Sequence, residues 1–247
     1  MKVAVLERAR EHRRLDQIAQ KLYWDGSRGC WLGCVTHDAK TPHESAERLF
    51  GIEQRIGYWV EAVFEGLPKD RCAAWVLESI EALPVGADLS LCHHHFGVWL
   101  LSSEAGLLTF TDGNRAAIEG VCRLHQRVLA GDPPAASEWS AAESAAESAA
   151  RSAAARSSAA WSAAESAAWS AWSSAASASA ARSSAASASA ARSAAARSSA
   201  AWVKIAEKSL EIFRAAPCPA AQPMPSGVRG ELCARGLWCP DGELVKV

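Results

Sequence analysis

An unbroken apolar run of the ~18–20 residues that a membrane-spanning helix needs occurs nowhere in the chain, so no spanning segment is expected. Excess charge is lacking as well. The formal net charge is −1, which points neither to nucleic acid nor to an anionic membrane surface. Residues 1–23 interleave Arg8, Arg10, Arg13 and Arg14 with Leu6, Leu15 and Ile18. They lack the apolar centre of a signal peptide, and a cytoplasmic protein is expected. In that compartment the eight Cys are thiols or metal ligands rather than a disulfide framework. Strand signals are almost absent, Leu107–Thr111 being the one short candidate. No segment has the form of a nucleophile elbow, a triad with a local signature or a paired-carboxylate hydrolase site, so catalysis is not the first expectation.

What is present falls into three compositional regions. Residues 1–131 have the make-up of an ordinary globular helical domain. Residues 135–216 contain neither Gly nor Pro and are mostly Ala and Ser, while 217–247 form a Pro-, Gly- and Cys-containing tail expected to be poorly ordered. Within the first region, Val3, Leu6, Leu15, Ile18 and Leu22 recur at helical spacing over 3–22. A Gly-rich segment, 26–33, interrupts. Thr41-Pro42-His43-Glu44 then has the pattern of a capping box with Pro at the first helical position. One helix is expected from there through Leu49, Ile52, Ile56, Trp59, Val60 and Val63 to the stop at Gly66-Leu67-Pro68. Further helices carry Cys72, Trp75, Val76, Ile80 and Leu83 up to Pro84, and Leu91, His95, Val98 and Trp99. A last one carries Ile118, Val121, Cys122, His125, Val128 and Leu129 and stops at Gly131.

The Ala/Ser region repeats itself. Residues 151–161 and 192–202 are identical, and 173–182 recurs as 183–192. Eleven Trp stand against two Tyr and five Phe. Eleven positions are close to three helical turns, so Trp161 and Trp172 share a face with Trp169 near them. Ala is the best helix former and the region has no breaker, but Ala buries little area, so the Trp anchors must supply most of the packing. The fold class expected is all-α: a globular helical N-terminal half, then a long Ala/Ser-rich helical region packed as a bundle or helical hairpin. Its end, Trp202 to Phe213, regains an ordinary amphipathic pattern and is expected to dock on the globular half.

Tyr23-Trp24-x-Gly26-x-x-Gly29-Cys30-x-x-Gly33-Cys34-x-x-His37, Phe50-Gly51-Ile52, Phe64-Glu65-Gly66-Leu67-Pro68 and Val85-Gly86-Ala87-Asp88-Leu89-Ser90, followed by an Ala/Ser/Trp/Glu tract, resemble a set of alanine-rich proteins of bacteriophages and bacteria. The similarity spans roughly residues 10–215 and leaves out the tail. It implies a phage or mobile-element accessory protein acting on a host component.

The main chemical candidate is Cys30-x-x-x-Cys34-x-x-His37. On a helix these positions line one face, and two thiolates with an imidazole suit zinc, with His43, Cys72 or one of His93–His95 as a fourth ligand. The competing reading is two small buried Cys beside turn-forming glycines. Arg28 and Gly29, ahead of a helix, can present a guanidinium and amides to a phosphate; the bland reading is a connecting loop. His93, His94 and His95 are adjacent, so on a regular helix they point in three directions and cannot all reach one ion. Cys233 and Cys239 lie in the tail. The expected function is a non-enzymatic binding module for a protein partner or a small ligand. Trp161, Trp169 and Trp172 would be contact residues, and the Ala-rich helices a surface for homo-oligomers. The alternative is a zinc protein or metal-dependent enzyme centred on Cys30, Cys34 and His37; apart from zinc no cofactor is expected.

Overall fold

The computed structural model describes residues 2–154 and 199–218. Among the described residues there are nine helices and no strand: α1 (Lys2–Arg14), α2 (Trp31–Thr36), α3 (Pro42–Phe50), α4 (Gln54–Gly66), α5 (Lys69–Ala82), α6 (Cys92–Leu100), α7 (Arg115–Leu129), α8 (Ala136–Ala154) and α9 (Ser199–Ala215). No described helix is long and apolar enough to cross a membrane. The bundle-or-hairpin arrangement expected of 135–216 falls largely on residues 155–198, outside the described ones.

The chain divides into two compact units, one comprising residues up to Leu89 together with those from Phe213 onward, the other Ser90–Ile212. The compositional boundary at 131–135 therefore falls inside the second unit, where α8 packs on α7.

In the first unit the apolar stripes of α4 and α5 enclose Trp31, Phe64, Ile56, Val60, Trp75 and Val76, all fully buried or nearly so. Buried indoles must place their N–H groups. Trp31 Nε1 donates to Ser79 Oγ at 2.6 Å and Trp75 Nε1 to the Val60 carbonyl at 3.2 Å. In the second unit Leu101, Ile118, Val121, Trp139 and Ala146 form the core. Ile205, Ala206 and Leu210 give α9 the buried face that its spacing called for.

Four local expectations are corrected. The helix expected over 3–22 ends at Arg14, because Asp16 turns left-handed (φ 54°) and the chain folds back, with Gly29 N–H donating to the Gln17 carbonyl at 3.0 Å. The helix expected from 42 to 66 is two helices, broken at Gly51 (φ 69°). At its start the capping box does not close. Asp38 accepts instead, from Lys40 N, Thr41 N, Thr41 Oγ1 and Ser45 Oγ. The candidate strand at 107–111 is a loop, because the buried Asn114 amide gathers it: Thr111 N–H donates to Asn114 Oδ1 and Asn114 Nδ2 to the Thr109 carbonyl.

Candidate metal centre

The first turn of α6 carries His93 and His94 directly after Cys92. That turn is tight at its entry. The Leu91 carbonyl accepts from both His94 N (3.0 Å) and His95 N (3.1 Å), a mixed i+3/i+4 start common at helix N-termini. His95 points outward and is exposed, while His93 is half-buried and His94 buried. Facing them, the amphipathic stripe of α7 places His125 at 0% exposure. The imidazoles of His93, His94 and His125 offer ligand atoms that all lie within 4.8 Å of one another. His94 Nδ1 and His125 Nδ1 are 3.0 Å apart, one ring donating its N–H to the other's lone pair.

The approach of α7 depends on Gly97, one turn beyond His93. A Cβ there would sit 2.8 Å from His125 Cε1 and Nε2, so only a glycine lets this buried ring lie against α6. From the far side the Trp139 indole of α8 closes the cluster, its centroid 5.1 Å from His125 edge-on and 6.3 Å from His94. Three helices thus converge on three imidazoles.

Burial dominates the electrostatics. It pushes the His125 imidazole down to about 3, with the neighbouring His94 adding to the effect. The ring is therefore neutral near pH 7, the form that carries a lone pair for a metal. In the first unit His12 is also lowered, mainly by burial and against the pull of its hydrogen bond to Gln17. Both shifts disfavour the charged ring in the fold. Above the unfolded-chain value of ~6.5 neither affects stability; below it the unfolded chain takes up protons that the folded chain refuses. Stability of the metal-free protein is therefore expected to fall on acidification from about pH 6.5 toward 3, by up to about 1.4 kcal/mol per pH unit for His125. Urea unfolding in the presence of a chelator, repeated across pH 4–8, checks this. A flat profile over that range would contradict it.

Cys30, Cys34 and His37 are not brought together as three ligands. The helix that was to align them, α2, ends at Thr36, and His37 adopts a left-handed conformation (φ 50°) that leaves the helical face. Its ring stacks on Trp24 with centroids 4.2 Å apart, and its Nε2 lies 3.1 Å from His12 Nε2. Gln17 Oε1 accepts from His12 Nδ1, so the lone pair of neutral His12 faces His37. Cys30 and Cys34 are buried, and burial pushes both thiols up, Cys30 to about 12. Such thiols are poor sources of thiolate.

The other sequence candidates are engaged elsewhere. His43 Nε2 lies 3.0 Å from Glu61 Oε2, and its ring stacks on Tyr58. Cys72 Sγ donates to the Pro68 carbonyl at 3.3 Å. Arg28 pairs with Asp25 at 3.6 Å, and the amides proposed for a phosphate are taken up within the loop. Ser27 N and Arg28 N donate to Asp25 Oδ1, and Gly29 N to the Gln17 carbonyl. Trp161, Trp169, Trp172, Cys233 and Cys239 lie outside the described residues. His125 is the ligand candidate that sequence reasoning missed. In the sequence it is one position of an apolar stripe, and its only signal is a His on that stripe. Comparison with family models, with curated proteins and with solved structures finds no match to this chain, so the geometry alone carries the reading of the site.

Proposed function

We propose that the chain is a transition-metal-binding protein whose second unit holds one zinc ion on His93, His94 and His125. The observation that carries this is the convergence of three imidazoles, with ligand atoms within 4.8 Å of one another, around a His125 that burial keeps neutral. A tetrahedral zinc with Zn–N of ~2.0–2.1 Å spaces its nitrogens about 3.3 Å apart. The 3.0 Å pair of His94 and His125 already approximates one edge of that figure, and the third ring needs to close by an ångström or so. Imidazole suits zinc and its late-transition neighbours, and copper(II) would bind more tightly still wherever it is available.

The competing view is three packed histidines with a structural role. Against it, the 3.0 Å pair of His94 and His125 adds little stability beyond what apolar side chains of the same shape would give, whereas three converging imidazoles are what a metal ion asks for. Three protein ligands leave a fourth position, as in sites that bind a water, an anion or a substrate. Metal sequestration and metal-assisted chemistry both fit within this reading.

Native mass spectrometry and equilibrium dialysis of the full chain with Zn²⁺ test it. One zinc per chain is expected, with the dissociation constant raised 10–100-fold or more in His94→Gln and in His125→Gln, while His95→Gln, on the exposed side, changes nothing. Zinc that stays bound with unchanged affinity in both ligand variants, or no zinc at all in the wild type, would defeat the proposal. A loss of zinc in Cys30→Ser instead would move the site back to the first unit.

A further inference from the structure

The helix that seals the cluster is the first helix of the Ala/Ser-rich region. We infer, resting on the metal reading above, that zinc occupancy and the docking of α8 are coupled through Trp139: the ion enters when this helix lifts, and α8 is held more firmly once the ion is in place.

The composition of α8 makes it a separable element. Over Ala136–Ala154 it carries only Ala, Ser, Glu and Arg besides Trp139, so this indole is its one large apolar group. Trp139 is 4% exposed and Ala146 fully buried, with Ala142 packed beside them. The polar contacts at its start lie near solvent: Arg127 of α7 pairs with Glu138, which also accepts from Ala135 N at 2.8 Å. Exposed pairs of this kind hold weakly. A helix secured by one aromatic and a few alanines opens locally at far lower cost than the whole unit.

The same indole touches the ligand groups. It lies edge-on to His125 and within 6.3 Å of His94, and it limits how both rings can turn. Orientation of ligating rings by their neighbours is a principal determinant of metal affinity. His125 is at 0% exposure with Trp139 edge-on against it, so the seated indole covers this ligand, while His93 on α6 is half-buried. Docking of α8 therefore raises affinity by fixing the rings and slows exchange by covering them. By thermodynamic reciprocity the ion must raise the docking of α8 by the same factor.

The experiment uses the full chain with Zn²⁺ as the only added ligand. Peptide-resolved amide exchange over 136–150 is measured with and without zinc, and zinc extraction by a chelator is timed in the wild type, Trp139→Ala and Trp139→Phe. Zinc is expected to slow exchange in α8 tenfold or more. Trp139→Ala is expected to speed extraction and weaken binding by a similar factor, and Trp139→Phe to recover most of both. Unchanged α8 exchange on zinc binding, or wild-type extraction and affinity in both variants, overturns the coupling and leaves the metal site standing. Failure of the wild type to bind zinc overturns the metal reading and the coupling with it. The exchange measurement on the wild type needs no variant to fold.

Discussion

Gly33→Ala is expected to unfold the first unit. A Cβ at this position would lie 1.4 Å from the Tyr23 carbonyl oxygen and 2.5 Å from its carbon, contacts with backbone and not with a movable side-chain end. Gly29 meets the same oxygen, its Cβ falling 2.1 Å away. The loop therefore seats one peptide group against the start of α2, and both glycines are needed because nothing larger than hydrogen fits between. The loop cannot swing aside cheaply. Ala19 N donates to the Gly29 carbonyl and Cys30 N to the Leu22 carbonyl, which ties both sides of the approach. Immediately beyond, Trp31 and Leu32 are fully buried in the core that any shift of α2 would open. Overpacking in a core costs ~1–3 kcal/mol even when side chains can yield. A clash with fixed backbone belongs among the rare effects above ~4 kcal/mol, a large share of a domain's total of ~5–15 kcal/mol. Gly120→Ala is the matched control. It lies in α7 with only the Arg123 guanidinium near, at 3.9 Å, so alanine there should stabilise by about 0.5–1 kcal/mol through helix propensity. Peptide-resolved amide exchange checks both variants. Native protection across residues 2–89 in Gly33→Ala would show the close approach to be dispensable.

The Gly-rich segment illustrates how far the sequence could be read. Its glycines announced an interruption, yet a phosphate cradle and a tight backbone crossing ask for the same residue. The distinguishing fact is the position of Tyr23, which no local pattern encodes. Where periodicity and stop signals agreed, as in α5 ending before Pro84 and α7 ending before Gly131, the elements were legible. Where the apolar period ran on through a turn, it misled. Leu15 and Ile18 continue the spacing of α1 past its end, and Ile52 bridges two helices that Gly51 separates. The candidate site divides along the same line. His93 and His94 stand out as a run, but regular helical spacing turns adjacent side chains apart. His125 stands 31 residues away from His94 on another helix. Only the packing of α7 on α6, permitted by Gly97, makes these side chains neighbours, and tertiary proximity of that kind leaves no trace in a local pattern. Cys30, Cys34 and His37 failed for the converse reason. Their spacing suits a regular helix, but α2 stops one residue short at each end, leaving Cys30 extended before it and His37 left-handed after it.

Replacing the paired imidazoles together separates a structural role from a ligand role. In His94→Leu/His125→Leu both members of the 3.0 Å hydrogen bond are removed at once, and Leu approximates the volume of each ring. Exchanging a buried polar pair for apolar groups of similar shape is close to neutral or stabilising, whereas removing one partner leaves the other unsatisfied at about 1–3 kcal/mol. The metal-free double variant is therefore expected to match or exceed the wild type in stability, and the single His125→Leu to fall below both. Zinc reverses the order. An ion present at 100 times its dissociation constant stabilises the folded site by about 2.7 kcal/mol. In a unit of this size that amounts to a rise in melting temperature on the order of 10 °C. The wild type should show that rise and the double variant none. Two units allow a sharper reading, because the ligands lie in Ser90–Ile212 and zinc should move only the transition of that unit. Calorimetry with and without Zn²⁺ resolves both terms. A double variant less stable than the wild type without metal would make the histidines structural. An equal zinc response in the two proteins would place the ion elsewhere in the chain.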